Sequence, residues 1–453
     1  MRKQLIVIIM AGLTLFLCAV AAGAGATPMI GINVVLNTDV TDAILADLGT
    51  HGTVRDVVRE IHAVTLQSRT SALPVIRALP YVAAANPDAQ RRNGPVTPVL
   101  VTDFSNGLSS WDLDAINVTD YGFDNRQVAY DGTGVYVAVL DTGLVDNWPY
   151  YFPADRIAVD YAVCFGGGGG DNGTVSTQPN KWEHDQNSHG THVTSTIIGY
   201  NFNGVPVNGV APLATVIPVK VLNQNGSGWS SVIARGIVYV ADLKAGALAG
   251  HPVVINMSLG GPSMDAMEQA AIDYAIAKGV IVVASAGNEG TAGMGYPGAY
   301  APVISVAASG WIGEWVGGGS WWYQNVPDPT NPDDYYIAAF SSRALPGQDL
   351  DVAAPGSWIV GPYQTDGQIS YYFLGGTSMA SPHVAGIVAL MAQKDPTLTA
   401  PDAETILEGS AVPLPAGCRT VFNPDGTSSN ICWGSDATGA GLATADAALA
   451  ATP

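Results

Sequence analysis

Apolar and polar positions along this chain predict its elements before any chemistry is considered. An almost continuous apolar run from Val135 to Leu140, ending on Asp141, reads as a strand buried on both faces. Two later apolar stretches have helical character. One opens at His189 and Gly190 in HDQNSHGTHVTSTIIG, the other at Ser378 in GGTSMASPHVAG, continuing through GIVALMAQ. A further helix is predicted at Pro401 to Glu408. Near the N-terminus the pattern is different: INVVLN predicts a strand, TDAILADL a helix, REIHAVTL a strand, SRTSALPVIRAL a helix despite Pro74, and YVAAAN a last strand. This order marks a small α+β unit over residues 27–95. RRNGPVTPV and the Ser-rich stretch before Trp111 read as an exposed linker over 96–110, leaving 111–453 as the main domain.

Three polar residues stand where these elements begin or end. Asp141 closes its strand, and open α/β sheets put their sites at such C-terminal strand mouths. Ser378 opens a helix, where its hydroxyl faces the positive end of the helix dipole and the two preceding glycines let substrate approach. Each block alone has a plainer account: an Asx-turn for Asp141, a capped helix start for Ser378, a polar loop or a metal cluster for His184, His189 and His192. No Glu follows His189 in an HExxH arrangement, and a third zinc ligand is undefined.

Asp, His and Ser follow one another in the chain order of a subtilisin triad. DTG around Asp141, HGTHV around His189, SAGNEG around Asn288 and GTSMASPHVAG around Ser378 resemble the four signature segments of the subtilisin-like serine peptidases, from about Trp111 to the C-terminus. The resemblance implies a doubly wound α/β domain with a mainly parallel sheet. It also implies a secreted, monomeric serine endopeptidase acting on proteins and peptides with no cofactor in its chemistry. Ser378 would be the nucleophile, His189 the base that takes its proton, and Asp141 the carboxylate that orients and then stabilises the imidazolium. The Asn288 side-chain amide and the Ser378 N–H would hold the developing oxyanion. Substrate would lie as an extended strand beside Ser227, Gly228 and Trp229 and beside Ser258, Leu259 and Gly260. Its first pocket would be walled by the latter segment, by Ala286 and Gly287, and by Gly295. These glycines suggest a roomy pocket that prefers large residues before the scissile bond, with Glu289 at its rim to admit a basic one.

Other features follow from the same likeness. The N-terminal unit resembles the ferredoxin-like pro-segment that assists folding and plugs the cleft until autocleavage, and GAGLATADAALA resembles the closing helix. Structural calcium is an option, with Asn201 and Asn203 as the candidate ligands. His383 reads as structural. Thr194 and Ser195 replace the usual small pair after HGTHV, and Ser188 stands where glycine is common. A non-catalytic binding protein on this scaffold would have lost one of the four site residues, and His189 argues against the related group with a glutamate base.

Composition narrows the setting. Arg2 and Lys3 precede an apolar stretch from about Leu5 to Val20 and the small residues AAGAGA, the pattern of a signal peptide over 1–26. Of four cysteines, Cys418 and Cys432 flank a loop of Asn, Pro, Gly and Ser and are expected to pair, with Cys164 free. The net charge is −20. Residues 27–95 are balanced, so the acidic excess lies beyond them and disfavours nucleic acid and anionic membrane as partners. FGGGGGDNG lacks the Gly-Lys-Ser/Thr ending of a phosphate-binding loop. The aromatics between Trp311 and Tyr336 suit either a substrate grip or a local core.

Overall fold

A computed structural model of the chain describes residues 28–94, 96–102, 109–120, 126–166, 181–365 and 368–453. The expected signal peptide, most of the glycine-rich loop and part of the expected linker lie outside these residues.

The N-terminal unit runs β1 (Met29–Leu36), α1 (Asp42–His51), β2 (Thr53–Val58), β3 (Ala63–Arg69), α2 (Leu73–Arg77) and β4 (Val82–Pro87). The strands form an antiparallel sheet in the order β2-β3-β1-β4. Ile32, Val34, Leu48, Val64, Leu66 and Ile76 build its core. The expected strand at REIHAVTL is displaced. Arg59–Ile61 is a 3₁₀ turn, and His62 adopts a left-handed φ of 51° that swings the chain from β2 into β3. Apolar periodicity does not register such a turn, and β2 is an additional strand.

The chain continues through β5 (Gln90–Arg92), β6 (Val96–Leu100), α3 (Trp111–Ala115), β7 (Tyr136–Asp141), α4 (Trp148–Tyr151), β8 (Val163–Cys164) and α5 (His189–Ile198). A small hairpin, β9 (Tyr200–Phe202) and β10 (Val205–Val207), leads to β11 (Thr215–Lys220) and β12 (Ser227–Trp229). Next come α6 (Ser230–Ala245), β13 (Val253–Met257), α7 (Ala266–Ala277), β14 (Val280–Ser285) and β15 (Ile304–Trp311). After them lie β16 (Tyr335–Ile337), β17 (Val352–Pro355), β18 (Ile359–Thr365) and β19 (Gln368–Gly375). The last elements are α8 (Thr377–Lys394), α9 (Ala400–Ser410), β20 (Gly417–Phe422), β21 (Ser428–Trp433) and α10 (Ala445–Ala451).

The central sheet has the order β16-β15-β14-β13-β7-β11-β8, with β17 also on β15. Every pairing in it is parallel except β15 with β16. The unbroken apolar run of β7 is explained by two cores. Val137 and Val139 belong to the one shared with α5 and α8, whereas Ala138 and Leu140 face the one shared with α6 and α7.

Three expectations meet the structure here. Residues 96–100 are strand as well as connection: β6 pairs antiparallel with β19, a partner that local pattern could not locate. Cys418 and Cys432 sit opposite one another on β20 and β21 and form the disulfide, while Cys164 is free and buried. The aromatic segment is core: Trp321, Trp322 and Tyr335 are essentially inaccessible, and Trp321 stacks on Phe373 and packs against Trp111. Within it, Glu314 accepts hydrogen bonds from Tyr336 Oη, Ser357 Oγ and the Trp311 N–H. Burial pushes its carboxyl up to about 8.

Trp321→Ala is expected to lower unfolding free energy by about 3–5 kcal/mol in denaturant titration. Glu314 makes a second prediction. Its folded value lies above the ordinary 4.5, so the native state holds a proton that the unfolded chain releases. Stability therefore declines as pH rises from about 4.5 to about 8, and this component of the slope disappears in Glu314→Gln, as read by thermal melts across that range.

Candidate active site

Parallel pairing brings the C-terminal ends of β7, β13 and β14 to one rim of the sheet. β7 delivers Asp141 there, and α5 begins there at His189. His189 Nδ1 lies 2.8 and 2.9 Å from the two Asp141 oxygens, and both side chains are buried. Asp141 Oδ1 also accepts the Thr142 N–H at 2.7 Å. The close approach explains Gly190: a Cβ at that position would come within 2.4 Å of the Gly143 carbonyl oxygen.

A second layer fixes this pair. Thr142 Oγ1 accepts the Gly190 N–H at 2.9 Å and donates to Asp185 Oδ2 at 2.6 Å. Burial raises the Asp185 carboxyl to about 6. His192, one turn along α5, is pushed down to about 3 by burial and by neighbouring His189, so it stays neutral and adds no charge against an imidazolium at 189. Ser188, the departure from glycine, takes a left-handed φ of 70°. Its Oγ accepts the Gln364 N–H at 2.9 Å, a contact glycine cannot make.

Ser378 lies in the first turn of α8. Its Oγ donates to the Ser258 carbonyl oxygen at 3.3 Å, and the Ser258 hydroxyl donates to Ser378 O at 2.8 Å. His189 Nε2 is buried without a hydrogen-bond partner. The Ser378–His189 hydrogen bond is thus not made in this conformation.

Asn288 follows β14 and is oriented by Thr377. Asn288 Oδ1 accepts the Thr377 N–H at 2.9 Å and its hydroxyl at 3.0 Å, which leaves the amide Nδ2 facing the cleft. Nδ2 donates to the Gly94 carbonyl oxygen at 2.6 Å. Thr377 Oγ1 in turn accepts the Gly287 N–H at 3.1 Å. Sequence reading did not single out Thr377; a hydroxyl residue between Gly376 and Ser378 at a helix start was its only signal.

The expected substrate-binding segments surround residues 90–94 of the chain itself. β5 pairs antiparallel with β12, setting Arg91 opposite Gly228 and flanking it with Ser227 and Trp229. On the other side, Arg92 and Gly260 exchange two backbone hydrogen bonds of 2.9 Å. Leu259 and Ala286 are buried, Gly295 N–H donates to Ala286 O at 2.9 Å, and a Cβ on Gly260 would lie 3.9 Å from Gly295 Cα. Gly287 has φ of 109°. Ser258–Gly260, Ala286–Gly287 and Gly295 therefore converge beside Asn288.

The proposed cation ligands lie elsewhere. Asn201 lies on β9 and Asn203 in the β9–β10 turn; Asn201 Oδ1 accepts the Gly204 N–H at 2.7 Å, and Asn203 has φ of 50°. A group missed from sequence, Asp349, Asp351 and Glu404, brings carboxylate oxygens within 4.8 Å of one another. Asp351 is buried, its Oδ1 has no partner, and burial raises it to about 7. Hard cations accept such a donor set.

A buried Asp–His pair at the rim of a doubly wound sheet, with a helix-borne serine and an oriented amide donor, supplies the kinds of group that serine peptidase chemistry requires. Residues 132–438 match the Subtilase family, and the chain belongs to it as a serine-type endopeptidase. It is 37% identical to subtilisin DY of Bacillus licheniformis over 63% of this chain and 86% of that protein. Thermitase of Thermoactinomyces vulgaris is 35% identical over 58% of this chain and 77% of its own length. Among solved structures, fervidolysin of Fervidobacterium pennivorans, described as a keratinolytic enzyme related to subtilisin, superposes with TM-score 0.65 at 26% identity, over 94% of this chain and 62% of that one. Sphericase does so with TM-score 0.52 at 29% identity, over 68% and 91%. No described helix is long and apolar enough to cross a membrane.

Thr377→Val leaves Asn288 Oδ1 with one donor in place of two. Turnover of a peptide substrate is expected to decrease roughly tenfold, about 1.4 kcal/mol, with little change in KM.

Proposed function

We propose that the chain is a secreted zymogen in which Asp141, His189 and Ser378 act as the triad and residues 27–95 as a ferredoxin-like, inhibitory pro-segment. The observation that carries this reading is the course of residues 90–94, paired on both sides with cleft backbone and with the Gly94 carbonyl oxygen 2.6 Å from Asn288 Nδ2.

In the proposed reaction Ser378 Oγ attacks the substrate carbonyl carbon while its proton passes to His189 Nε2. Asp141 stabilises the imidazolium, and Asn288 Nδ2 with the Ser378 N–H receives the oxyanion. As the intermediate collapses, His189 gives the proton to the leaving nitrogen and an acyl-Ser378 ester remains. Water, deprotonated by His189, then releases the carboxylate product and restores Ser378. Main-chain pairing with residues 227–229 and Gly260 gives affinity with little sequence choice, which supports broad endopeptidase activity. A preference for large residues before the cut rests on the glycines at 260, 287 and 295. Calcium, where bound, would be structural; Asp349, Asp351 and Glu404 suit it better than Asn201 and Asn203, whose groups serve a turn.

Expressing the chain from Thr27 beside Ser378→Ala tests the proposal. The parent should lose about 70–90 residues by intact mass and hydrolyse casein, and the variant should do neither, as removal of the nucleophile demands. Equal processing of both would assign the cut to another protease. Asn288→Ala in the same background should reduce kcat by about 10²–10³.

A further inference from the structure

We propose that Glu268 makes the cleft select arginine as the fourth residue before the cut. The inference rests on residues 90–94 lying in the cleft as a substrate does. Gly94, whose carbonyl oxygen meets Asn288, fixes the register as the first residue before the cut. Arg92 is then third, held by Gly260, and Arg91 fourth, opposite Gly228.

The two adjacent arginines are treated differently. Arg92 is exposed, and its guanidinium hydrogen-bonds to Gln90 Oε1 of its own strand. Arg91 is fully buried, and its guanidinium meets the Glu268 carboxylate as a fork: Nε at 3.0 and 3.2 Å from the two oxygens and Nη2 at 2.5 Å from Oε2. Glu268 is itself only 2% exposed. It stands in the first turn of α7, where the capping Asp265 accepts the Met267 and Glu268 N–H groups at 2.9 and 3.3 Å and so fixes the backbone that carries it.

Charge decides what can replace Arg91. The charged groups around the pair are Asp88, from the N-terminal unit, and Asp265. Arg91 and Asp88 belong to the segment that a substrate would displace, whereas Asp265 and Glu268 stay. The charged groups described in the vacated pocket are then the Asp265 and Glu268 carboxylates. An aliphatic side chain entering it would desolvate Glu268 without pairing it, which is costly, so selection acts through rejection of apolar residues as well as attraction of basic ones. Arginine is favoured over lysine because two-point contact with both carboxylate oxygens needs a planar fork.

The test uses enzyme prepared by expressing the full chain and internally quenched peptides that differ only in Arg, Lys, Leu or Ala at this fourth position. The parent is expected to favour Arg over Leu by at least about tenfold in kcat/KM, with Lys between them. In Glu268→Leu the Arg/Leu ratio should fall to about one or invert. Glu268→Gln, which keeps the side-chain shape, should reduce the ratio severalfold and carries the test should the leucine variant not fold. Equal hydrolysis of the Arg and Leu peptides by a parent that cleaves casein overturns the inference alone, as does an unchanged ratio in both variants. Hydrolysis of neither casein nor any peptide overturns the cleft reading beneath it.

Discussion

Parallel registration of β7 with β11 and β13, and of β13 with β14, is the constraint on which the remaining site geometry depends. Strands that run the same way must end at the same edge, so Asp141 and the loop carrying Asn288 arrive together without any contact between them being specified. The helices returning across the sheet start from that edge, which puts His189 and Thr377–Ser378 at their N-termini. Gly190 and Gly143 then let α5 approach β7 closely enough for a buried contact of 2.8 Å between His189 and Asp141. A slip of one residue in β7 would exchange the faces of Val137–Leu140 and turn Asp141 into the wrong layer.

Across the described residues burial perturbs ionisation as much as pairing does. The chain is strongly acidic, yet several of its deepest carboxyl groups, Asp185, Glu314 and Asp351, have raised values because burial disfavours the anion. His192 is held neutral by the same effect acting in the opposite direction on a base. Arg91 with Glu268 is the contrasting case, an ion pair buried almost completely at the junction of the N-terminal unit and α7.

What the sequence made legible was whatever is local. The run into Asp141, the helix starts at His189 and Ser378, and the Cys418–Cys432 spacing of 14 each announce themselves within a short stretch of chain, and the structure contains those elements. Contacts between distant segments were not legible. β2 escaped because it depends on a left-handed His62, and β6 because its partner lies more than 250 residues away. Thr377 matters through Asn288, and Glu268 through Arg91; neither residue carries a signal of its own. Asp349, Asp351 and Glu404 form a group only after β17 and α9 have packed. The aromatics at 311–336 suited two readings, and burial against Trp111 and Phe373 selected one of them.

β5 and β6 flank Gly94 but pair with different partners, one with β12 and the other with β19. The N-terminal unit is therefore tethered to the cleft at very short range while the backbone between them is continuous. A short tether corresponds to an effective concentration on the order of millimolar, so even a weak contact stays closed. Severing that backbone removes the tether and leaves every interfacial contact in place. Occupancy of the cleft would change from a property of one molecule to a matter of dilution, set by the intrinsic affinity of two separate chains.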